Sequence, residues 1–286
     1  MTGGASGIGQ AIAAALRQRG CTVVIADTDG PAAERTAGRL GATAALADVT
    51  DATAVRTLVH RTRDHHGRLD YMVNNAGIGV AGRCQDLTLD HWNRLLQTNL
   101  HGVVHGVHAA YPVMLDQGHG HIVNIASLAG LTPAPFMLPY TTAKHALVGL
   151  SLALRAEAAP HGVKVTAVCP GFVDTPLLDN ANPGLPPTAI GRDWRRIATR
   201  AQIGLHPADR LARTVLSGLE RDKALIVTPA LARLAWYGTR LAPATAVRVA
   251  ALARHLLPAE ERPAAGRNAT AKRADAQAPS GYARPE

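Results

Sequence analysis

Ser127, Tyr140 and Lys144 lie within one stretch, NIASLAGLTPAPFMLPYTTAK. Tyr140 and Lys144 are four residues apart, so a helix puts them on one face. An ammonium beside a phenol favours the phenolate and lowers a pKa that starts at about 10. Bringing it to neutrality takes about 4 kcal/mol, at about 1.36 kcal/mol per unit. A phenol tuned in that way exchanges a proton with an alcohol oxygen. With a nicotinamide to take the hydride, the chemistry is interconversion of an alcohol and a ketone. The chain has 26 Arg and only 4 Lys, yet position 144 is Lys, a compact point charge rather than a fork. Taken singly, the Tyr–Lys spacing also occurs on helices without chemistry, and a Ser at a strand end also serves as a turn former. The weight lies in the order of the pieces along the chain.

The upstream piece is TGGASGIG, Thr2 to Gly9, which opens a helix. Glycines let a backbone approach a pyrophosphate, and a helix amino end offers free N–H groups and the positive end of its dipole. Gly3, Ser6, Gly7, Ile8 and Gly9 are therefore candidate dinucleotide contacts. Asp27 ends the next apolar run, CTVVIAD. A carboxylate there accepts hydrogen bonds from ribose hydroxyls and repels a 2′-phosphate. Neither Thr28 nor Ser6 is basic, so NAD is expected over NADP. Asp27 also reads as a plain turn residue.

Near-continuous apolar runs predict strands at 21–26, 42–47, 69–74, 121–126, 163–169 and 224–228. Helical patterns fill 8–19, 31–40, 51–66, 88–117, 140–159 and 207–221. This alternation predicts an α/β fold with a doubly wound parallel sheet, and ligands beyond the carboxyl ends of its strands. Asn74, Ser127 and Pro170 fall at such ends.

In these motifs the chain resembles the short-chain dehydrogenase/reductase family, a Rossmann fold, across about residues 2–228. Asp48–Val49 matches its adenine-contacting pair, and Asn74, Asn75, Ala76 and Gly77 match its NNAG motif. Asn99 in TNLHG matches a fourth catalytic residue beside Ser127, Tyr140 and Lys144. Pro170, Gly171, Val173 and Thr175 in CPGFVDTP match the loop that meets the nicotinamide carboxamide. The resemblance implies Tyr140 as general base or acid and Lys144 as its tuner and ribose anchor. It implies Ser127 on the substrate oxygen and Asn99 holding a water that relays protons from Lys144. It also implies a homodimer or homotetramer through the helices at 88–117 and 140–159. The family's glycine turn follows a first strand that lies mid-sheet. Only Met1 precedes Thr2 here, so the expectation is a truncated chain or a start assigned too late, with a gap between two strands. A cofactor-binding protein or fragment without turnover is the alternative that this gap keeps open.

Residues 1–228 thus read as a catalytic domain, with a Pro- and Gly-rich lid at about 176–205. Residues 229–258 read as an amphipathic helical extension, and 259–286 as a disordered tail. The formal charge of +9 lies wholly in residues 190–286, which hold 17 Lys+Arg against 8 Asp+Glu. The neutral body argues against nucleic acid as the partner. The basic extension fits either packing on the body or a partner subunit, or peripheral contact with a membrane. Three cysteines without disulfide or metal spacing fit a reducing cytoplasm. Cys21 and Cys169 read as buried strand positions. His101, His105 and His108 lack an acidic or Cys partner at matching spacing, so no metal is expected. Leu128, Leu131, Phe136, Met137, Leu138, Leu177, Leu178 and Leu185 suggest a hydrophobic alcohol or ketone, or plain core.

Overall fold

Every strand pair among the described residues is parallel. In the computed structural model, which describes residues 1–202 and 204–256, β1 (Val24–Asp27) pairs with β2 (Thr43–Leu46). β3 (Tyr71–Asn74), β4 (Gly120–Ile125), β5 (Val163–Pro170) and β6 (Leu225–Thr228) form a second ladder in that order. Strands buried on both faces need apolar residues throughout. In β5 every residue but Lys164 is buried. The expected tail at 259–286 lies outside the described residues.

The connections are helices laid on the two faces. α1 (Gly7–Gln18), α2 (Gly30–Leu40) and α3 (Ala52–His66) follow the first strands. Asp29 and Asp51 cap α2 and α3 by accepting from backbone amides in the first turn. α4 (Leu89–Leu96), α5 (Gly102–Gln117) and α6 (Leu138–Ala158) carry the chain to and from β4. α7 (Ala189–Arg192), α8 (Trp194–Ala201) and α9 (Ala208–Glu220) precede β6, and α10 (Ala230–Leu241) and α11 (Pro243–Ala251) follow it. Ile12, Leu16, Leu211 and Val215 pack on one face of the sheet, with Ile25 and Val168. Val55, Val59, Val113 and Met114 pack on the other, with Ile122 and Val165. The fold is the doubly wound α/β sheet that the sequence pattern predicts.

Three local features differ from the sequence expectations. The single helix expected at 88–117 is broken by a π-helical turn at Gln97–His101. Cys21 is half-buried and precedes β1, so only Cys169 is a buried strand thiol. The gap between strands is partly bridged. Thr2 N donates to Val73 O at 3.1 Å, and Ala26 N donates to Met1 O at 2.9 Å. Toward the amino ends of β1 and β3 the ladder is missing, and a cavity of about 700 Å³ lies among Met1, Val24, Tyr71 and Val73. The Met1 ammonium donates to Val24 O at 3.1 Å, and burial pulls its pKa down to about 6.

Candidate active site

β4 and α6 converge on the chemical residues. Just past the carboxyl end of β4 the backbone stays extended at Ser127, whose Oγ accepts from Ala129 N at 3.1 Å and starts a 3-10 turn. That turn lies directly on α6: a Cβ at Gly130 would stand 2.4 Å from Lys144 O. Lys144 is buried, its Nζ donating to Ile125 O at 2.7 Å and standing 5.4 Å from the Tyr140 ring centroid. Burial lowers the Lys144 ammonium to about 8. Burial also pushes the Tyr140 phenol above its ordinary value, and a hydrogen bond with Ser127 opposes that rise. This departs from the expectation of a phenol lowered by Lys144: in the protein alone, desolvation by burial is the largest influence on the phenol.

Asn99 sits in the π-helical turn between α4 and α5, buried, with Oδ1 accepting from Ile78 N at 2.8 Å. Its Nδ2 donates to Ile78 O at 2.9 Å. Single π turns inside helices frequently mark functional sites. A second polar chain, hidden behind the site, fixes α6 to the sheet. Asn74 Nδ2 donates to Asn124 Oδ1, Asn124 Nδ2 to Ser151 Oγ, and Ser151 Oγ to Leu147 O, at 2.9, 2.9 and 2.6 Å.

One continuous cavity of about 1080 Å³ joins these residues to the glycine turn. Gly3, Ser6, Gly7, Ile8, Asp27, Asp48, Val49, Asn75, Ala76 and Gly77 line one end of it. Asn99, Ser127, Tyr140, Lys144, Pro170, Gly171, Val173 and Thr175 line the rest of the predicted set. Gly9 does not. It faces inward, where a Cβ would stand 2.2 Å from Gly3 O, so it serves the packing of α1 on the turn. At Gly3 a Cβ would stand 2.7 Å from Ala76 Cα, and φ is +60°, so only glycine fits there. The Ser6 side chain does not cap α1, and no acid stands in its first turn, which leaves the helix amino end available to an anion. Asp27 is oriented by Ala5 N, which donates to Oδ2 at 3.1 Å. A cradle of this kind, with an acid at the neighbouring strand end, fits a dinucleotide.

The substrate side is apolar. Leu128, Phe136, Met137, Leu177 and Leu178 line it as expected, while Leu131, Leu138 and Leu185 do not. Leu131 and Leu185 pack into separate parts of the core, and Leu138 is exposed. Trp194 and Ile197 of α8 and Leu231 and Val249 from the last two helices complete the lining. Sequence reasoning missed these four. It also missed the ties that hold α8 over the site. Arg195 donates to Asp179, to Asp174 Oδ1 at 2.6 Å and to Thr175 O at 3.0 Å. Gln202 Oε1 accepts from Phe172 N, and Gln202 Nε2 donates to Phe172 O, both at 2.9 Å. Among the described residues no group of three His, Cys, Asp or Glu is placed to hold a metal ion. His105 instead contacts Val49 O through Nδ1 at 2.8 Å.

Tyr140 and its apolar pocket thus share one cavity with a glycine cradle that is shaped for a dinucleotide. Residues 1–185 match the family model described as short chain dehydrogenase, and the chain belongs to that family. A probable oxidoreductase of Mycobacterium tuberculosis, EphD, is 35% identical over 234 residues, which cover 79% of this chain and 40% of EphD. The chain thus spans about two fifths of that relative's length. The D-beta-hydroxybutyrate dehydrogenase of Rhizobium meliloti is 36% identical over 190 residues, 64% of this chain and 74% of that one. Among solved structures, a short-chain dehydrogenase/reductase from Burkholderia phymatum in complex with NAD superposes with a TM-score of 0.75 at 31% identity. It covers 84% of this chain and 93% of its own. Levodione reductase superposes with a TM-score of 0.71 at 28% identity, over 79% of this chain and 93% of its own.

Proposed function

We propose that the chain transfers a hydride between NAD(H) and a hydrophobic secondary alcohol or its ketone. The observation that carries this reading is the half-buried Tyr140, hydrogen-bonded with Ser127, on an apolar cavity that runs on to Asp27. When bound, the nicotinamide supplies or accepts the hydride. Ser127 hydrogen-bonds the substrate oxygen, where charge develops. Tyr140 gives that oxygen its proton in reduction and takes it back in oxidation. Lys144 places a cation beneath the phenol, and Asn99 holds the route by which Lys144 is reprotonated. Asp48, Val49, Asn75, Ala76 and Gly77 bound the adenosine side, while Pro170, Gly171, Val173 and Thr175 bound the nicotinamide side. The names of two similar proteins, a D-beta-hydroxybutyrate dehydrogenase and a levodione reductase, refer to alcohol and carbonyl compounds, which supports the reaction class.

Residues 1–228 form the catalytic unit in this reading, with 176–205 as its lid and 229–258 as an extension over the cavity. Half-exposed Val104 and Leu152 on α5 and α6 suit a homodimer or homotetramer. No described helix is long and apolar enough to cross a membrane. The site of action proposed is the cytoplasm.

Fluorescence titration with NADH and NADPH tests the cofactor half, followed by a screen of hydrophobic ketones. NADH is expected to bind the more tightly. Asp27→Ser is expected to narrow the preference by about tenfold, since one unpaired charge contact is worth about 1.4 kcal/mol. Tighter NADPH binding by the native chain rejects the role given to Asp27. Tight NADH binding without turnover of any ketone favours a cofactor-binding protein instead.

A further inference from the structure

Helices α10 and α11 present two unlike faces. Inward, Ala235, Thr239, Ala246 and Ala250 close over the cavity that holds Tyr140. Outward, Leu234, Tyr237 and Leu241 stand at i, i+3 and i+7 of α10 and are 67%, 53% and 86% exposed. Val247 on α11 is exposed as well. Arg233, Arg240 and Arg248 flank this stripe, all exposed, and residues 230–256 contain no Asp or Glu. Leu231 and Leu252 line the cavity and yet are more than half exposed, so they mark its rim on the same side.

We propose that the α10–α11 pair docks on an anionic lipid surface, with the rim of the cavity against the bilayer. A helix with leucines and an aromatic residue on one face, arginines beside them and no acid suits the boundary between headgroups and acyl chains. Tyr237 is exposed and stacks on Trp236 with ring centroids 4.9 Å apart, and an exposed tyrosine ring favours headgroup level. A second copy is the poorer occupant. A two-fold interface sets a patch against itself, which here would bring arginines onto arginines with no acid between them. Docked in this way, the rim would take a membrane-dissolved ketone or alcohol into the cavity without passage through water. That delivery role rests on the hydrophobic-substrate reading above; the docking itself does not.

The test is flotation of the full chain with vesicles of phosphatidylcholine alone or mixed with phosphatidylglycerol. The chain is expected to float with the anionic vesicles only. Leu234→Asp with Leu241→Asp, and separately Arg233→Gln with Arg240→Gln and Arg248→Gln, are each expected to cut the bound fraction about tenfold or more. Unchanged NADH binding shows that both variants are folded. Failure to float with either vesicle overturns the proposal, as does equal binding by native and variant chains. Dissociation of an oligomer into monomers by the leucine variant, without vesicle binding by the native chain, also overturns it and assigns the face to a second copy. Vesicle binding without turnover of any hydrophobic ketone leaves docking in place and rejects the substrate reading.

Discussion

β4 and β5 pair over six residues and continue into β3 and β6, whereas β1 and β2 pair over four and meet that ladder through Thr2. Ser127, Tyr140 and Lys144 stand at the end of the longer ladder and on α6, with Asn99 in the π turn before α5. At the adenosine end, Asp27 and Asp48 stand at the end of the short ribbon and Asn75 follows β3. Besides the core that Ile25 shares with Val168, a few hydrogen bonds tie the ribbon to that ladder. Thr2 Oγ1 accepts from Asn75 N at 3.1 Å and Ala76 N at 3.2 Å. Asn75 Nδ2 donates to Thr2 O at 3.0 Å and Gly3 O at 2.8 Å. The α6 side has instead the Asn74–Asn124–Ser151 chain inside a closed core. The contrast implies that proton transfer and dinucleotide affinity can be damaged separately.

The largest expected effect lies on the chemical side. Tyr140→Phe keeps the ring's packing and removes the proton, so kcat is expected to fall by about 10²–10⁴. NADH affinity by fluorescence is expected to hold. A matching loss of affinity would mean that the two ends of the cavity form one unit.

The converse change is Asn75→Ala. It removes both donors that Asn75 offers to the glycine turn, each worth about 0.5–1.5 kcal/mol. NADH affinity is expected to weaken about tenfold, while kcat at saturating NADH stays near that of the native chain. A fall in kcat at saturation would show that Ser127 and Tyr140 lean on the Thr2 bridge. That result would erase the contrast.

The sequence is legible where structure is local. Runs such as CTVVIA and KVTAVC need burial on both faces, and β1 and β5 lie within a residue or two of where those runs end. Tyr140 and Lys144 share a face because four residues make about one turn. The π turn at Gln97–His101 is not legible, since one extra residue in a turn barely disturbs the apolar pattern of 88–117. Arg195 and Gln202 look like surface residues of a polar lid. Their partners, Asp174, Asp179 and Phe172, lie 16 to 30 residues earlier and meet them only once α8 is folded back. The direction of the Tyr140 shift was missed for a related reason. Spacing reveals the neighbouring ammonium, but desolvation depends on everything that closes over the ring.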